Sequence, residues 1–591
     1  MGKAGNAARL LRHAGPALTV QLVLLEVAAA LLPLAVIGAI GIVVGRVAGG
    51  GAIAGPLAWL SVLLFLQQAI GPFRTAVAYR ITRRVDGLVR VLVMELANRS
   101  LGIAPFEDPA VLDQLELAGG IADPFWGASP GGAAVSVVSM AGRYLQVAGA
   151  AVLLSRLSLP LAVGLTAVVL VAYHRSRRWN RVRLRAIREN HTAGRASRYT
   201  SGLANTPAPA KEVRLFGVLD WLVDRFRGEW AEISSARLVP WRWAATRVAV
   251  LLVSLTPVVA VVFVAIVRTG VEEGLDARTL AVALQAGIVL FSSLFDQRHD
   301  DAHQVDFGLE SLETLRSLEG TIGGAVVAGT GDAAGLPREH IRFEGVRFAY
   351  PGSGREVFAG LDLTISAGSS LAIVGGNGVG KTTLVKLLAR LHEPQSGRIS
   401  VDGTPLDALD PTSWRRQLAV IFQDFVRYEL PAAANVGFGG IERMADVSAL
   451  DDAAARAGAI DLVHRLPSGW ATPLSRQYSG GADLSGGEWQ RIALARALFA
   501  VDAGAGVLVL DEPTANLDVR AEAALFEDFL DLTRGLTTIL ISHRFSTVRH
   551  ADRICVLEGG RVVEDGSHDQ LLAAGGLYAE LFLLQAERFR D

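Results

Sequence analysis

The chain has 591 residues, enough for several domains at about 100–200 residues each, and 51% of them are hydrophobic. A net charge of -1 leaves no global electrostatic footprint for nucleic acid, and the single cysteine, Cys555, excludes an intramolecular disulfide and any multi-cysteine zinc site. Mean hydropathy is +0.36, and the apolar surplus crowds the first half, whereas the second half has the mixed composition of a soluble domain.

The N-terminal stretch MGKAGNAARLLRHAGP does not lead into a short apolar run with a small-residue cleavage site, so no removed signal peptide is expected. Apolar stretches near 17–45, 54–79, 133–154, 157–174, 246–268 and 279–297 approach or exceed the roughly 20 residues that cross a bilayer as a helix. Positive charge alternates between their connections. Lys3, Arg9 and Arg12 precede the first, Arg80, Arg83, Arg84 and Arg90 follow the second, and Arg175 to Arg185 contribute six arginines after the fourth. The intervening connections are short and poor in positive charge, or acidic with Glu272, Glu273 and Asp276. The positive-inside rule therefore puts both termini in the cytoplasm, consistent with an even number of spans.

Two cytoplasmic segments, about 80–132 and 175–245, are too long for turns and read as helical extensions. One contains FEDPAVLDQL, where Asp108 can cap a helix and Pro109 can occupy its first turn. The other contains APAKEVRLFGVLDWL, apolar at helical spacing. Each is either a solvated loop helix or a transverse helix touching another domain, and spacing alone favours the first. Within the spans Glu26 is the conspicuous ionisable group, placed either to line a transport cavity or to be satisfied by a neighbouring helix.

Residues 300–340 read as a connector, and the chain beyond residue 340 alternates strand and helix patterns, as expected of an α/β domain. The run SLAIVG (Ser370–Gly375) passes into GGNGVGKTT and then into the helical TLVKLLARL. This is G-x-x-x-x-G-K-[ST] in its strand–loop–helix setting. Gly375, Gly378 and Gly380 let the backbone wrap phosphates, with Asn377 and Thr383 among the binding positions. Lys381 reaches the β and γ groups, and the Thr382 hydroxyl is placed for Mg2+. A second strand, VLVLDE, delivers Asp511 to the Mg2+ shell and Glu512 as a base for the attacking water. A third, TTILISH, ends at His543, within reach of a γ-phosphate oxygen. Ligands bind at the carboxyl ends of parallel strands, so three such ends make a site. A hundred-odd residues beyond the loop, the turn Ser485-Gly486-Gly487 opens a helix and offers a second set of N–H groups to an anion.

The order of these motifs resembles the ATP-binding cassette ATPases, and a six-span half fused ahead of it resembles the exporter type of ABC transporter over nearly the whole chain. The resemblance implies a multi-domain fold: an all-α transmembrane domain at 1–300, a linker at 301–340, and at 341–591 an α/β P-loop ATPase domain with antiparallel β and helical subdomains. It implies ATP and Mg2+ as ligands, with Tyr350 in FAYPG stacking on adenine and Gln423 in IFQDF serving Mg2+ and the attacking water. Asp518 in TANLD, with Ser485, Gly486 and Gly487, joins the nucleotide-binding set. In this family two cassettes pair head to tail, so the second phosphate grip serves the other subunit's ATP. The expected working unit is a dimer of two such chains in a bacterial cytoplasmic membrane, a homodimer or a heterodimer with a related chain. It also places the two transverse-helix candidates where such exporters carry coupling helices.

The stretch before the turn is RQYSGGAD, with Ser479 where many multidrug and lipid exporters have Glu, and Glu488 stands where the family usually has Gln. With EVRLFG and GEWQRIALARA, this is similar to bacterial exporters of modified peptides such as lanthipeptides. The expectation is ATP-driven export of a peptide or amphipathic natural product, with a lipid flippase or multidrug exporter of the same architecture as the alternative. No peptidase domain is expected before the first span, since the sole cysteine lies in the cassette. A soluble ATPase acting on nucleic acid does not carry such spans, and an importer usually keeps its membrane and ATPase parts on separate chains.

Overall fold

The computed structural model describes residues 10–119, 129–171, 191–292, 299–323, 329–512, 533, 535–542 and 544–588. The chain divides into two compact units, one of Met1–Arg99 with Pro109–Gly323 and one of Ser100–Asp108 with Gly324–Asp591.

The described part of the first unit is helical. Pro16–Ala48, Ala54–Ala97 and Pro130–Ser155 are long and apolar enough to cross a membrane. Leu159–Val171 and Ala277–Ser292 are shorter apolar helices, and the predicted fourth and sixth spans continue into 172–174 and 293–297, outside the described residues. The fifth predicted span lies within one helix of 54 residues, Leu219–Glu272. A helix satisfies its own backbone hydrogen bonds, which is what a segment in lipid requires. The Ala54–Ala97 helix outlasts its apolar part because Ile81, Val85, Val89 and Leu96 continue a buried apolar stripe at helical spacing among the arginines. The Ser129 hydroxyl caps Pro130–Ser155 by accepting from the Gly132 N–H at 3.0 Å.

Glu26 is buried, and its carboxylate is answered from neighbouring helices. The Ser139 hydroxyl donates to Glu26 Oε1 at 2.7 Å, and Arg74 lies 3.7 Å from the other oxygen. A buried carboxylate in a helix bundle is retained when it is paired in this way. Arg143 and the half-buried Asp301 form another ion pair at 3.0 Å.

The second unit is built on two sheets. The strands are β1 (His340–Ala349), β2 (Glu356–Ser366), β3 (Ser370–Gly375), β4 (Ser396–Val401), β5 (Thr404–Pro405), β6 (Leu418–Ile421), β7 (Val507–Asp511), β8 (Thr537–Ile541), β9 (Arg553–Glu558) and β10 (Arg561–Gly566). One sheet is antiparallel, in the order β2-β1-β4-β5; the other runs β10-β9-β3-β8-β7-β6. In the second, β6, β7, β8, β3 and β9 are parallel and only β10 is antiparallel. Every residue of β7 and β8 is buried, the pattern of strands covered on both faces. One core joins the two sheets to the helix Lys381–Leu388, with Phe343, Phe358 and Trp414 among its buried side chains. Another packs a helical part, including Val447–Arg456 and Gly486–Asp502, against β6 and β7. The parallel arrangement brings the carboxyl ends of β3, β6, β7 and β8 to one side of the sheet.

Candidate functional site

At the end of β3 the backbone makes a turn that only glycine tolerates. Gly380 has φ +108°, and a Cβ there would lie 2.7 Å from Val357 Cγ1 and 2.9 Å from the Phe358 ring. Gly375 has φ +151°, and its Cβ would meet the Leu557 carbonyl oxygen at 2.4 Å. The loop opens directly onto the helix Lys381–Leu388, whose first N–H groups and dipole favour an anion. Lys381 is buried, and its Nζ donates to the carbonyls of Gly375 and Gly376 at 3.0 Å each. Burial pulls its pKa below the ordinary lysine value, opposed by the charges of Glu512 and Asp511.

Opposite the loop, β7 ends at Asp511 and Glu512 follows it directly. The Thr382 hydroxyl donates to Asp511 Oδ2 at 2.7 Å, and Gln423 Nε2 donates to Glu512 Oε2 at 2.9 Å. Glu512 has φ +49°, uncommon for a side-chain-bearing residue, and its N–H is held by the Ile541 carbonyl at 2.9 Å. Burial drives the Asp511 carboxyl above the usual carboxylate range. The Thr382 hydrogen bond and Lys381 oppose that, while the charges of Glu512 and Asp424 add to it. Such a concentration of carboxylates beside hydroxyl and amide oxygens matches the ligand chemistry of a hard divalent cation, so these residues fit Mg2+.

A cavity of about 600 Å³ brings together Tyr350, Asn377, Gly378, Gly380, Lys381, Thr382, Thr383, Gln423, Asp511 and Glu512. Val357 lines it too and was missed in the sequence, where it reads as one more alternating residue of β2. Tyr350 is fixed by a 3.1 Å hydrogen bond to Thr383 Oγ1. Gly375 supports the cavity through its carbonyl without lining it.

Ser485, Gly486 and Gly487 are not among the residues lining this cavity. They start the helix Gly486–Asp502, where Ser485 and Glu488 form a reciprocal cap. Glu488 Oε2 accepts from the Ser485 N–H and hydroxyl, each at 2.8 Å. Backbone hydrogen bonding from Ser485 is the main cause that holds the Glu488 carboxyl below its usual range. Asp518 and His543 lie outside the described residues.

The segment Ser100–Asp108 packs within the second unit, on the far end of the helix that begins at Lys381. The Ile103 N–H donates to the Leu391 carbonyl at 2.9 Å, and Gly102 lies so close that a Cβ would meet the same oxygen at 2.5 Å. The Arg415 guanidinium donates to the Leu101 and Ala389 carbonyls. In FEDPAVLDQL, Asp108 is extended and stands immediately before the helix, where the sequence places a cap. Ala104–Glu107 is a separate turn, and Pro109 starts the helix Pro109–Ala118 of the first unit. The second candidate holds the short helix Ala210–Leu215 in the first unit, with Leu215 79% and Phe216 69% exposed.

The family model described as ABC transporter matches residues 358–515. The chain is similar to an ATP-dependent lipid A-core flippase of Bordetella avium, 37% identical over 366 residues, 61% of this chain and 60% of that protein. The ATP-dependent lipid A-core flippase of Ralstonia nicotianae is 43% identical over 253 residues, 42% of this chain and 41% of that one. The matches thus span between two and three fifths of these relatives. A solved structure titled as a bacterial Atm1-family ABC exporter with ATP bound superposes with a TM-score of 0.75 over 98% of this chain and 99% of that one, at 23% identity. Residues 358–515 are therefore an ABC transporter domain, and the chain that carries them has the fold of an ABC exporter.

Proposed function

We propose that this chain is one half of an ATP-driven exporter that moves an amphipathic lipid across a bacterial cytoplasmic membrane. The observation that carries the ATPase part is the pair of contacts Thr382–Asp511 and Gln423–Glu512, which join three strand ends around one phosphate-binding loop. ATP would lie with its triphosphate in the loop and its base on Tyr350. Lys381 would meet the β and γ oxygens. Glu512, with its carboxylate steered by Gln423, would accept the proton of the attacking water. Thr382, Asp511 and Gln423 are the residues to hold Mg2+, which when bound neutralises charge on the β- and γ-phosphates. His543 would meet the γ-phosphate, and Ser485, Gly486, Gly487 and Asp518 would close over the nucleotide of a second copy. That the Ser485 turn does not line the chain's own cavity supports this division of labour. The exposed Leu215 and Phe216 suit burial against the second copy. Six spans with both termini cytoplasmic complete the reading, with the ATPase part beginning near residue 341.

The relatives named as lipid flippases reverse the order in which peptide and lipid stood in the sequence. The test is translocation of a fluorescent phospholipid in liposomes containing the purified chain. MgATP-dependent transfer that is lost with Glu512→Gln supports a lipid substrate. Active hydrolysis without lipid transfer returns the peptide to first place.

A further inference from the structure

Tyr350 sits in a small group of aromatic and charged side chains. The His392 ring meets it edge-on, with centroids 5.4 Å apart at 86°, and Phe348 does the same at 5.1 Å and 78°. Lys386 Nζ lies 5.2 Å from the centre of the Tyr350 ring. Glu107, at the end of the docked segment Ser100–Asp108, approaches both partners with one oxygen. Its Oε1 is 3.4 Å from His392 Nε2 and 3.9 Å from Lys386 Nζ. His392 is 4% exposed, and its Nε2 has no aligned hydrogen bond among the described residues, so Glu107 is the group that compensates it. A buried ring nitrogen facing a carboxylate ties the two together, because moving Glu107 away leaves the nitrogen without compensation.

We propose that His392 is a positioning residue for the nucleobase, holding the Tyr350 ring in place while Glu107 holds His392. The docked segment and the base-stacking side chain then behave as one body, and the position of the segment is read as affinity for ATP. This rests on the assignment of Tyr350 to the base. Burial keeps the His392 imidazole below its ordinary pKa, with Glu107 opposing and Lys386 reinforcing that trend. The contact is therefore held at neutral pH by a neutral ring rather than by a full ion pair. Glu107 is not among the residues lining the cavity, so any effect of its substitution on nucleotide binding must pass through its neighbours.

The test compares the KM for MgATP with the inhibition constant of inorganic tripolyphosphate, which lacks a base, using the full chain in detergent. His392→Ala is expected to raise the ATP KM about fivefold or more, a part of what base–aromatic stacking contributes. kcat and the tripolyphosphate constant should stay within about twofold. His392→Phe keeps a ring against Tyr350 and should fall between the two. Glu107→Ala, which removes the acceptor, should raise the ATP KM in the wild-type background and have no further effect on top of His392→Phe. Equal weakening of ATP and tripolyphosphate would overturn the proposal, as would unchanged ATP affinity in all three single variants while Tyr350→Ala raises KM. If Tyr350→Ala itself leaves KM unchanged, the nucleobase assignment fails and takes the proposal with it.

Discussion

Thr382 Oγ1 donates to Asp511 Oδ2 at 2.7 Å, joining the loop after β3 to the end of β7. The contact holds the hydroxyl and the carboxylate on the same side of the cavity, where a cation between them and a triphosphate would sit. Asp511→Asn keeps the volume and removes the charge. It should weaken Mg2+ binding about 10–100-fold, read as a rightward shift of ATPase activity in a Mg2+ titration at saturating ATP. An unshifted titration would remove Asp511 from the metal set.

Glu512 is steered by Gln423 at 2.9 Å, and a glutamine at 512 can accept the same hydrogen bond. Glu512→Gln should therefore bind ATP with little change while kcat falls about 10²–10⁴-fold, the usual loss when a general base is removed. Pre-steady-state ATP binding and steady-state turnover on one preparation separate the two effects. Near wild-type turnover would assign the base elsewhere.

Gly380 holds φ +108° with Val357 and Phe358 packed where a Cβ would be. Gly380→Ala must distort the loop or push on β2, at a cost on the order of 1–3 kcal/mol. A lower thermal midpoint in detergent and lost ATP binding are expected together.

Asp402 caps the entry to β1, accepting the N–H groups of Arg338, Glu339 and His340 at 2.6, 2.9 and 2.8 Å. Burial raises its pKa, but these three donors outweigh it, and the carboxyl rests below its usual range. A depressed pKa stabilises the fold above the unfolded value near 4 and loses that contribution as pH falls through the folded value. Asp402→Ala should cost about 1–2 kcal/mol at neutral pH, discounted for the partial exposure of the carboxylate. Thermal melts from pH 8 to pH 3 should show a constant difference from wild type down to about pH 5 that shrinks below pH 4.

The phosphate loop and the β7 carboxylates were legible because each is a short motif at a strand end, and parallel strands bring such ends together however the rest folds; Gln423 was legible only through the family resemblance. The apolar spans were legible for the same local reason, although the helix Ala54–Ala97 runs well past its apolar part. Ser100–Asp108 was not, since a helix of four residues carries no periodicity and its place is set by the Leu391 carbonyl and the Arg415 guanidinium, both distant in sequence. Val357 and His392 were missed because their roles arise from packing across strands and loops distant in sequence. Glu26 was seen as exceptional, yet only the neighbouring helices reveal its partners, Ser139 and Arg74.

In the proposed dimer each ATP is held by the loop of one copy and the Ser485 turn of the other. A mixed dimer of Lys381→Ala and Ser485→Ala chains, differently tagged and purified through both tags, tests this sharing. Shared sites leave one intact loop facing one intact turn, so the mixed dimer should retain one tightly bound MgATP while neither parental dimer does. If the mixed dimer retains none, although both variant chains fold and pair, the sites are not shared between copies.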